Sequence, residues 1–213
     1  MLGLNYLHLQ SITHRDLKPE NILLVSKDKN CFDVKISDLG FAQEFNREDG
    51  ETMTLVLGSP LYMAPELVNS KPYNEKVDVW SLGVITYQLL CGKTPFESRN
   101  LKRIDYNIKY KAIRFENTEV EHWSTISQDA KDFILACLER NPEKRPSVAE
   151  LFNMPWITKF YDQQLEKPIS HDGEIQQSIH KNMMKFGELN QIQKLVLSLL
   201  AGLSASKEEL HEM

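Results

Sequence analysis

His14-Arg15-Asp16-Leu17-Lys18-Pro19-Glu20-Asn21 places an acid, a base and an amide close enough in sequence to act on one phosphorylated molecule. In the spacing H-R-D-x-x-x-x-N, the Asp can orient and deprotonate a hydroxyl nucleophile and the Asn can hold Mg²⁺. Here those residues are Asp16 and Asn21, and Lys18 adds a positive charge beside the candidate base. Asp38, at the head of Asp38-Leu39-Gly40, offers a second hard oxygen ligand for a divalent ion.

Particular elements must bring these residues together. Ile22-Leu23-Leu24-Val25 and Val34-Lys35-Ile36 are short apolar runs separated by a polar stretch, residues 26–30, with turn character. They read as an antiparallel hairpin. Asn21 stands just before its first strand and Asp38 just after its second, so pairing brings both toward one ion. Residues 76–91 are apolar nearly all round, which predicts a buried central helix stopped by Gly92. A helix of mixed polarity is predicted around 99–110, and Ser127 caps another over 128–139. Ser147 with Glu150 forms a capping box for a last helix that Pro155 is expected to end, with Trp156 and Ile157 tucked back onto the core.

Composition narrows the class. Hydrophobic residues make up 41% and charged residues 26%, ordinary for a globular protein of 213 residues. A net charge of −5 gives no support to nucleic-acid binding. Cys31, Cys91 and Cys137 are scattered without a C-x-x-C pair, which fits a reducing, cytoplasmic setting without a disulfide or zinc framework. No apolar stretch is long enough to span a bilayer, and Leu2 after Met1 excludes N-myristoylation of this start.

The motifs together resemble the C-terminal lobe of a eukaryotic serine/threonine protein kinase. His14 to Asn21 matches the catalytic loop, Asp38-Leu39-Gly40 the D-F-G position with Leu for Phe, and Ala64-Pro65-Glu66 the end of the activation segment. Asp78-Val79-Trp80-Ser81-Leu82-Gly83-Val84 matches the start of the lobe's central helix. The resemblance covers roughly residues 1–158 and implies a mainly α fold with a small β-hairpin, using ATP and Mg²⁺ as cofactors. It implies Asp16 as base, Lys18 as support for the transferring phosphate, and Asn21 and Asp38 as Mg²⁺ ligands. Leu39 is expected to fill an apolar slot. Ser59 is expected to contact Asp16 and Lys18, Glu66 to pair with Arg145, and Asp78 to hydrogen-bond the catalytic-loop backbone. His14 and Arg15 take structural roles in that loop. Lys18 favours Ser/Thr acceptors, Glu20 is placed to meet a basic substrate residue, and Gln88 stands near where relatives carry a second acid.

The activation segment, Asp38 to Glu66, carries Thr52, Thr54 and Ser59 as hydroxyls. Glu48, Asp49 and Glu51 either supply fixed negative charge opposite Arg15 or form a solvated loop. The nine glycines never form G-x-G-x-x-G, and no V-A-I-K-like strand occurs. Met1 to His8 resembles the end of the helix before the catalytic loop, so the N-terminal lobe is expected to be absent. The chain reads as a fragment of a working kinase; the alternative is a catalytically inactive half-kinase acting as an interaction module.

Beyond the lobe, residues 159–174 read as a linker. Ile175, Ile179, Met183, Phe186, Leu189, Ile192, Leu195 or Val196, Leu199 and Leu203 then recur at helical spacing within a segment of modest basic character, 175–205. This segment is similar to the junction of calcium-dependent protein kinases. That resemblance implies an autoinhibitory helix gripped at 175–203 by calmodulin or another EF-hand calcium sensor; the alternative is a helix packed on the lobe. Residues 206–213 are similar to the entry of an EF-hand helix, but no D-x-[DN]-x-[DN]-G loop is present and the chain itself is not expected to bind calcium.

Overall fold

The computed structural model describes residues 1–25, 33–45, 52–115 and 121–159. The predicted acids Glu48, Asp49 and Glu51, the linker beyond residue 159, the junction segment 175–205 and the EF-hand-like residues 206–213 lie outside the described residues.

The fold is mainly α, built around one buried helix. Helix α1 spans Leu2–Leu9, and strand β1 Ile12–Thr13 leads into the loop that carries Asp16. Strands β2 Ile22–Leu24 and β3 Val34–Ile36 pair antiparallel, with Ile22 opposite Ile36. Strand β4 Gln43–Glu44 returns to pair antiparallel with β1, Ile12 opposite Glu44. Helix α2 Pro65–Val68 starts with Pro at its first position, where the missing N–H costs no intrahelical bond.

Helix α3, Lys76–Cys91, is the hub. Val77, Val79, Trp80, Val84, Ile85 and Leu90 are all buried, so the helix meets protein on most sides. Gly83 faces the end of helix α5, Gln128–Cys137, at close range. A Cβ there would lie 2.6 Å from the Cys137 Cβ, so only glycine lets the helices touch. Gly92 adopts φ 79° and closes α3 with a bond from its N–H to the Gln88 carbonyl. At the other side Trp80 stacks on Phe96 with centroids 5.4 Å apart. Tyr87, Phe115 and Trp123 form a second aromatic cluster, and burial raises the Tyr87 phenol to about 12.

Helix α4 runs Leu101–Tyr110, beginning at the Asn100 cap rather than at 99. Ser127 caps α5, which ends at Cys137, two residues short of the predicted end. Helix α6, Val148–Leu151, has the capping box in full: the Ser147 hydroxyl accepts from the Glu150 N–H and Glu150 accepts from the Ser147 N–H. Pro155 does not end this helix. The chain leaves α6 at Phe152, and Pro155 opens a further helical turn over 155–159, again at the position where proline costs nothing. That turn carries Trp156 edge-on against Phe133, with centroids 5.0 Å apart, and Ile157 against the core. Cys91 and Cys137 are unpaired thiols, and burial holds Cys91 near 11. Among the described residues no helix is long and apolar enough to cross a membrane.

Candidate active site

The site begins with a strained turn. Arg15 adopts φ 67°, a left-handed conformation that costs a non-glycine residue on the order of 1–3 kcal/mol. Asp78, fully buried on the first turn of α3, offsets that cost. Its Oδ1 accepts the Arg15 N–H at 2.9 Å and its Oδ2 accepts the His14 N–H at 2.8 Å. His8, at the end of α1, places its Nε2 2.9 Å from the same Oδ2. One carboxylate thereby ties α1, the loop and α3 together.

His14 is also fully buried. Its Nε2 donates to the Ser37 carbonyl at 3.1 Å, while its Nδ1 accepts the Asp16 N–H at 3.3 Å. The partners fix the tautomer, because a carbonyl can only accept and a backbone N–H can only donate. Ser37 in turn donates its N–H to the Asn21 carbonyl at 2.9 Å. The β2–β3 register therefore extends one step, setting Asn21 opposite Ser37 and Asp38 one residue beyond it. Asp38 is exposed, has φ 63°, and accepts the Gly40 N–H on Oδ1 at 3.2 Å.

Asp16 is the centre of this arrangement and only 5% exposed. Its Oδ1 accepts both the N–H and the hydroxyl of Ser59, each at 2.9 Å, and its Oδ2 accepts from Lys18 Nζ at 2.6 Å. Lys18 Nζ also donates to the Ser59 Oγ at 3.1 Å, closing a triangle of three side chains. Asn21 Nδ2 donates to the Asp16 carbonyl at 2.9 Å, which leaves its amide oxygen as the atom to offer a cation. Ser59 reaches Asp16 because Gly58 adopts φ 112°. A Cβ on Gly58 would lie 2.7 Å from the Arg15 carbonyl oxygen.

Two further anchors fix the activation segment. Arg15 Nε donates to the Phe41 carbonyl, and its Nη1 to Gln43 Oε1, both at 2.6 Å, and to the Tyr73 hydroxyl at 3.3 Å. Tyr73 donates to the Leu55 carbonyl at 2.7 Å and bridges Met53 through both backbone groups. Buried Met53 leaves its neighbours Thr52 and Thr54 exposed. At the segment's end, Arg145 grips Glu66 with two bonds, 2.7 and 3.0 Å, both side chains buried. Its guanidinium also donates to the Lys76 and Glu139 carbonyls and lies 5.2 Å from the Trp80 ring centroid.

Tyr62 connects the segment to the candidate substrate residues. Its hydroxyl donates to Gln88 Oε1 at 2.7 Å. Burial, then the negative charge of Glu20, raises its phenol well above the ordinary value, with Glu97 and Asp16 adding to the effect and the Gln88 bond opposing it. Gln88 is therefore committed to a tyrosine, and Glu97 is an acid of this neighbourhood that sequence spacing did not mark.

Other features were also not visible in sequence. His8, Ser37 and Tyr73 join the site only through the fold, and no spacing rule points to them. Leu39, expected to fill an apolar slot, is 53% exposed, because no described apolar element covers it. Leu2, Tyr6 and Leu9 on α1, Leu23 and Val34 on the hairpin, and Phe41 are likewise exposed. The elements around the site thus present an uncovered apolar surface.

The profile of the protein kinase domain family matches residues 1–157. The calcium/calmodulin-dependent protein kinase cmkB of Emericella nidulans is 40% identical over 158 residues, which are 74% of this chain and 38% of that protein. The calcium/calmodulin-dependent protein kinase of Metarhizium anisopliae is also 40% identical over 158 residues, covering 74% of this chain and 40% of the relative. The Emericella nidulans kinase cmkA is 40% identical over 155 residues, 73% of this chain and 36% of its own. The chain thus spans about two fifths of the length of the curated relatives it matches. Because the profile match takes in the Asp16 loop, the Asp38 turn and the Glu66–Arg145 pair alike, this chain belongs to the protein kinase domain family, with calcium/calmodulin-dependent kinases among its relatives.

Proposed function

We propose that this lobe forms the acceptor side of a serine/threonine protein kinase, in a protein that transfers the γ-phosphoryl group of ATP to Ser or Thr hydroxyls. The observation that carries the reading is the Asp16 carboxylate, held by Ser59 on one oxygen and Lys18 on the other. Asp16 accepts the proton of the substrate hydroxyl. Lys18 balances charge on the phosphoryl oxygens, and the Ser59 contact keeps the activation segment registered on the loop. Phosphoryl transfer depends mainly on such positioning and charge.

The donor chemistry fits Mg²⁺. Asn21 offers an amide oxygen and Asp38 a carboxylate, both hard ligands. Among the described residues no group of three or more His, Cys, Asp and Glu side chains could hold a metal by itself. A cation held by Asn21 and Asp38 would complete its shell with phosphate oxygens and water. When bound, Mg²⁺ neutralises charge on the ATP phosphates. For the substrate, Glu20 and Glu97 near Tyr62 favour a basic residue before the acceptor.

Activity requires a phosphate-clamping lobe, and the exposed apolar surface of α1 and the β2–β3 hairpin suits its docking. Residues 1–213 alone are expected to transfer phosphate negligibly. Joined to a lobe that carries a G-x-G-x-x-G loop and a strand Lys, they should phosphorylate Ser and Thr peptides with Mg²⁺ and ATP. Tyr peptides should be poor acceptors, and Asp38→Asn should raise the Mg²⁺ requirement. Equal use of Tyr, or an unchanged Mg²⁺ requirement in Asp38→Asn, would refute the reading.

Regulation by calcium belongs to the same proposal and is supported by the relatives and by the apolar spacing of 175–203. A 175–203 peptide should bind calmodulin or an EF-hand domain only with calcium. No binding to either would remove this segment from regulation. The cysteine usage supports a cytoplasmic protein.

A further inference from the structure

We propose that the outward face of α4 is a docking surface for an acidic peptide segment of a partner protein, one bearing an aromatic or long aliphatic side chain. The helix is secured from its other side. Ile104, Asn107 and Ile108 are buried, Asn107 Nδ2 donates to the Phe96 carbonyl at 3.1 Å, and Arg140 Nε donates to the Ile108 carbonyl at 2.9 Å. Folding therefore needs nothing apolar on the outer face.

That outer face nevertheless carries a built cluster. Tyr106 and Tyr110 are 51% and 69% exposed, with ring centroids 5.1 Å apart, and the Arg103 guanidinium lies 4.9 Å from the Tyr106 centroid. Positions 103, 106 and 110 follow helical spacing and share one stripe. Leu101, also exposed, extends the apolar area at the helix start. Tyr and Arg are residue types that concentrate binding energy at protein interfaces; Tyr buries a large area while ordering two torsions, and Arg adds a planar cation that stacks on aromatic faces.

Charge decides the occupant. Between residues 99 and 114 six Lys or Arg stand against a single acid, Asp105, in a chain whose net charge is −5. Such a cationic rim around an aromatic centre attracts an acidic partner and repels a second copy of itself. Position adds a use. Helix α4 packs against α2 and the Pro60–Tyr62 turn, directly after Ser59, so a partner held on α4 lies beside the activation segment. The inference does not rest on phosphoryl transfer, and its test reads binding alone.

The test uses the full 213-residue chain and a phage-displayed library of random 12-residue peptides. Peptides are selected on the unaltered chain and counter-selected on the Arg103→Glu/Tyr106→Ala/Tyr110→Ala variant. The variant's melting transition is checked first; should it be lost, Arg103→Glu alone serves as the counter-selection. The expected result is a set of discriminating peptides rich in Asp and Glu around an aromatic or aliphatic residue. Their affinity should fall at least about tenfold in the variant, about 1.4 kcal/mol. It should also weaken as salt rises. If no peptide discriminates the two chains, or if those that do are neutral or basic, the proposal is overturned.

Discussion

At the scale of single residues, the site depends on backbone conformations that few side chains tolerate. Gly58 is the sharpest case. Alanine there meets both an unfavourable φ and the Arg15 carbonyl oxygen at 2.7 Å, a backbone atom that cannot step aside. Gly58→Ala is expected to destabilise the lobe by about 1–3 kcal/mol. Gly40→Ala should cost less, because its Cβ meets only the movable Asp38 Oδ1 at 3.1 Å. Urea unfolding of the two variants checks the order, and a larger loss in Gly40→Ala would count against this picture of the Ser59–Asp16 contact. Arg145 makes a different kind of claim. Removing it leaves Glu66 buried without its bidentate partner, at a cost of about 3–5 kcal/mol. Arg145→Lys should recover only part of this, since lysine supplies neither the fork nor the planar contact with Trp80. Thermal melting of Arg145→Ala and Arg145→Lys distinguishes the two contributions.

At the scale of elements, what was legible in sequence is what local chemistry dictates. The β2–β3 hairpin was visible because two apolar runs flank a polar turn, and α3 because its apolar residues leave almost no polar face. The capping box at Ser147 and Glu150 was visible because its two residues recognise each other within one turn. It also gives α6 a pH dependence. The Ser147 N–H, then its hydroxyl, holds the Glu150 carboxyl below its ordinary value of 4.5. A depressed folded value means the contribution is fully present above the ordinary carboxylate range and disappears as pH falls through the depressed value. Glu150→Gln should therefore lower stability at neutral pH and make no difference once the carboxyl is protonated in both states. Unfolding midpoints of both chains from neutral to strongly acid pH provide the check, and a gap that persists in acid would contradict it. The β1–β4 pair was not legible. Each strand has two residues, too few for any alternation, and Arg15 ties the Asp16 loop to Phe41 and Gln43 beside them. Pro155 misled for a related reason: proline both ends and begins helices, and only tertiary packing of Trp156 on Phe133 selects the second.

At the scale of the whole molecule, the central helix and the Asp16 loop act as one body. Asp78 accepts from His14, Arg15 and His8, drawing residues seventy positions apart in sequence onto one carboxylate. The motif identified the Asp16 loop, but it could not show that His8, Ser37 and Tyr73 hold that loop in place, because those contacts exist only once the core has formed. The same core leaves an apolar surface uncovered around the loop, which is why activity is proposed for the lobe joined to a phosphate-clamping partner. The most direct measurement is therefore the turnover of the fused protein, with a Ser peptide, Mg²⁺ and ATP, for unaltered chain and for Asp16→Asn. Loss of the base should lower kcat by about 10²–10⁴-fold while the melting temperature changes little. A variant that keeps turnover within about threefold of the unaltered protein, well short of the general-base range, would contradict the assignment of Asp16 as the group that takes the proton.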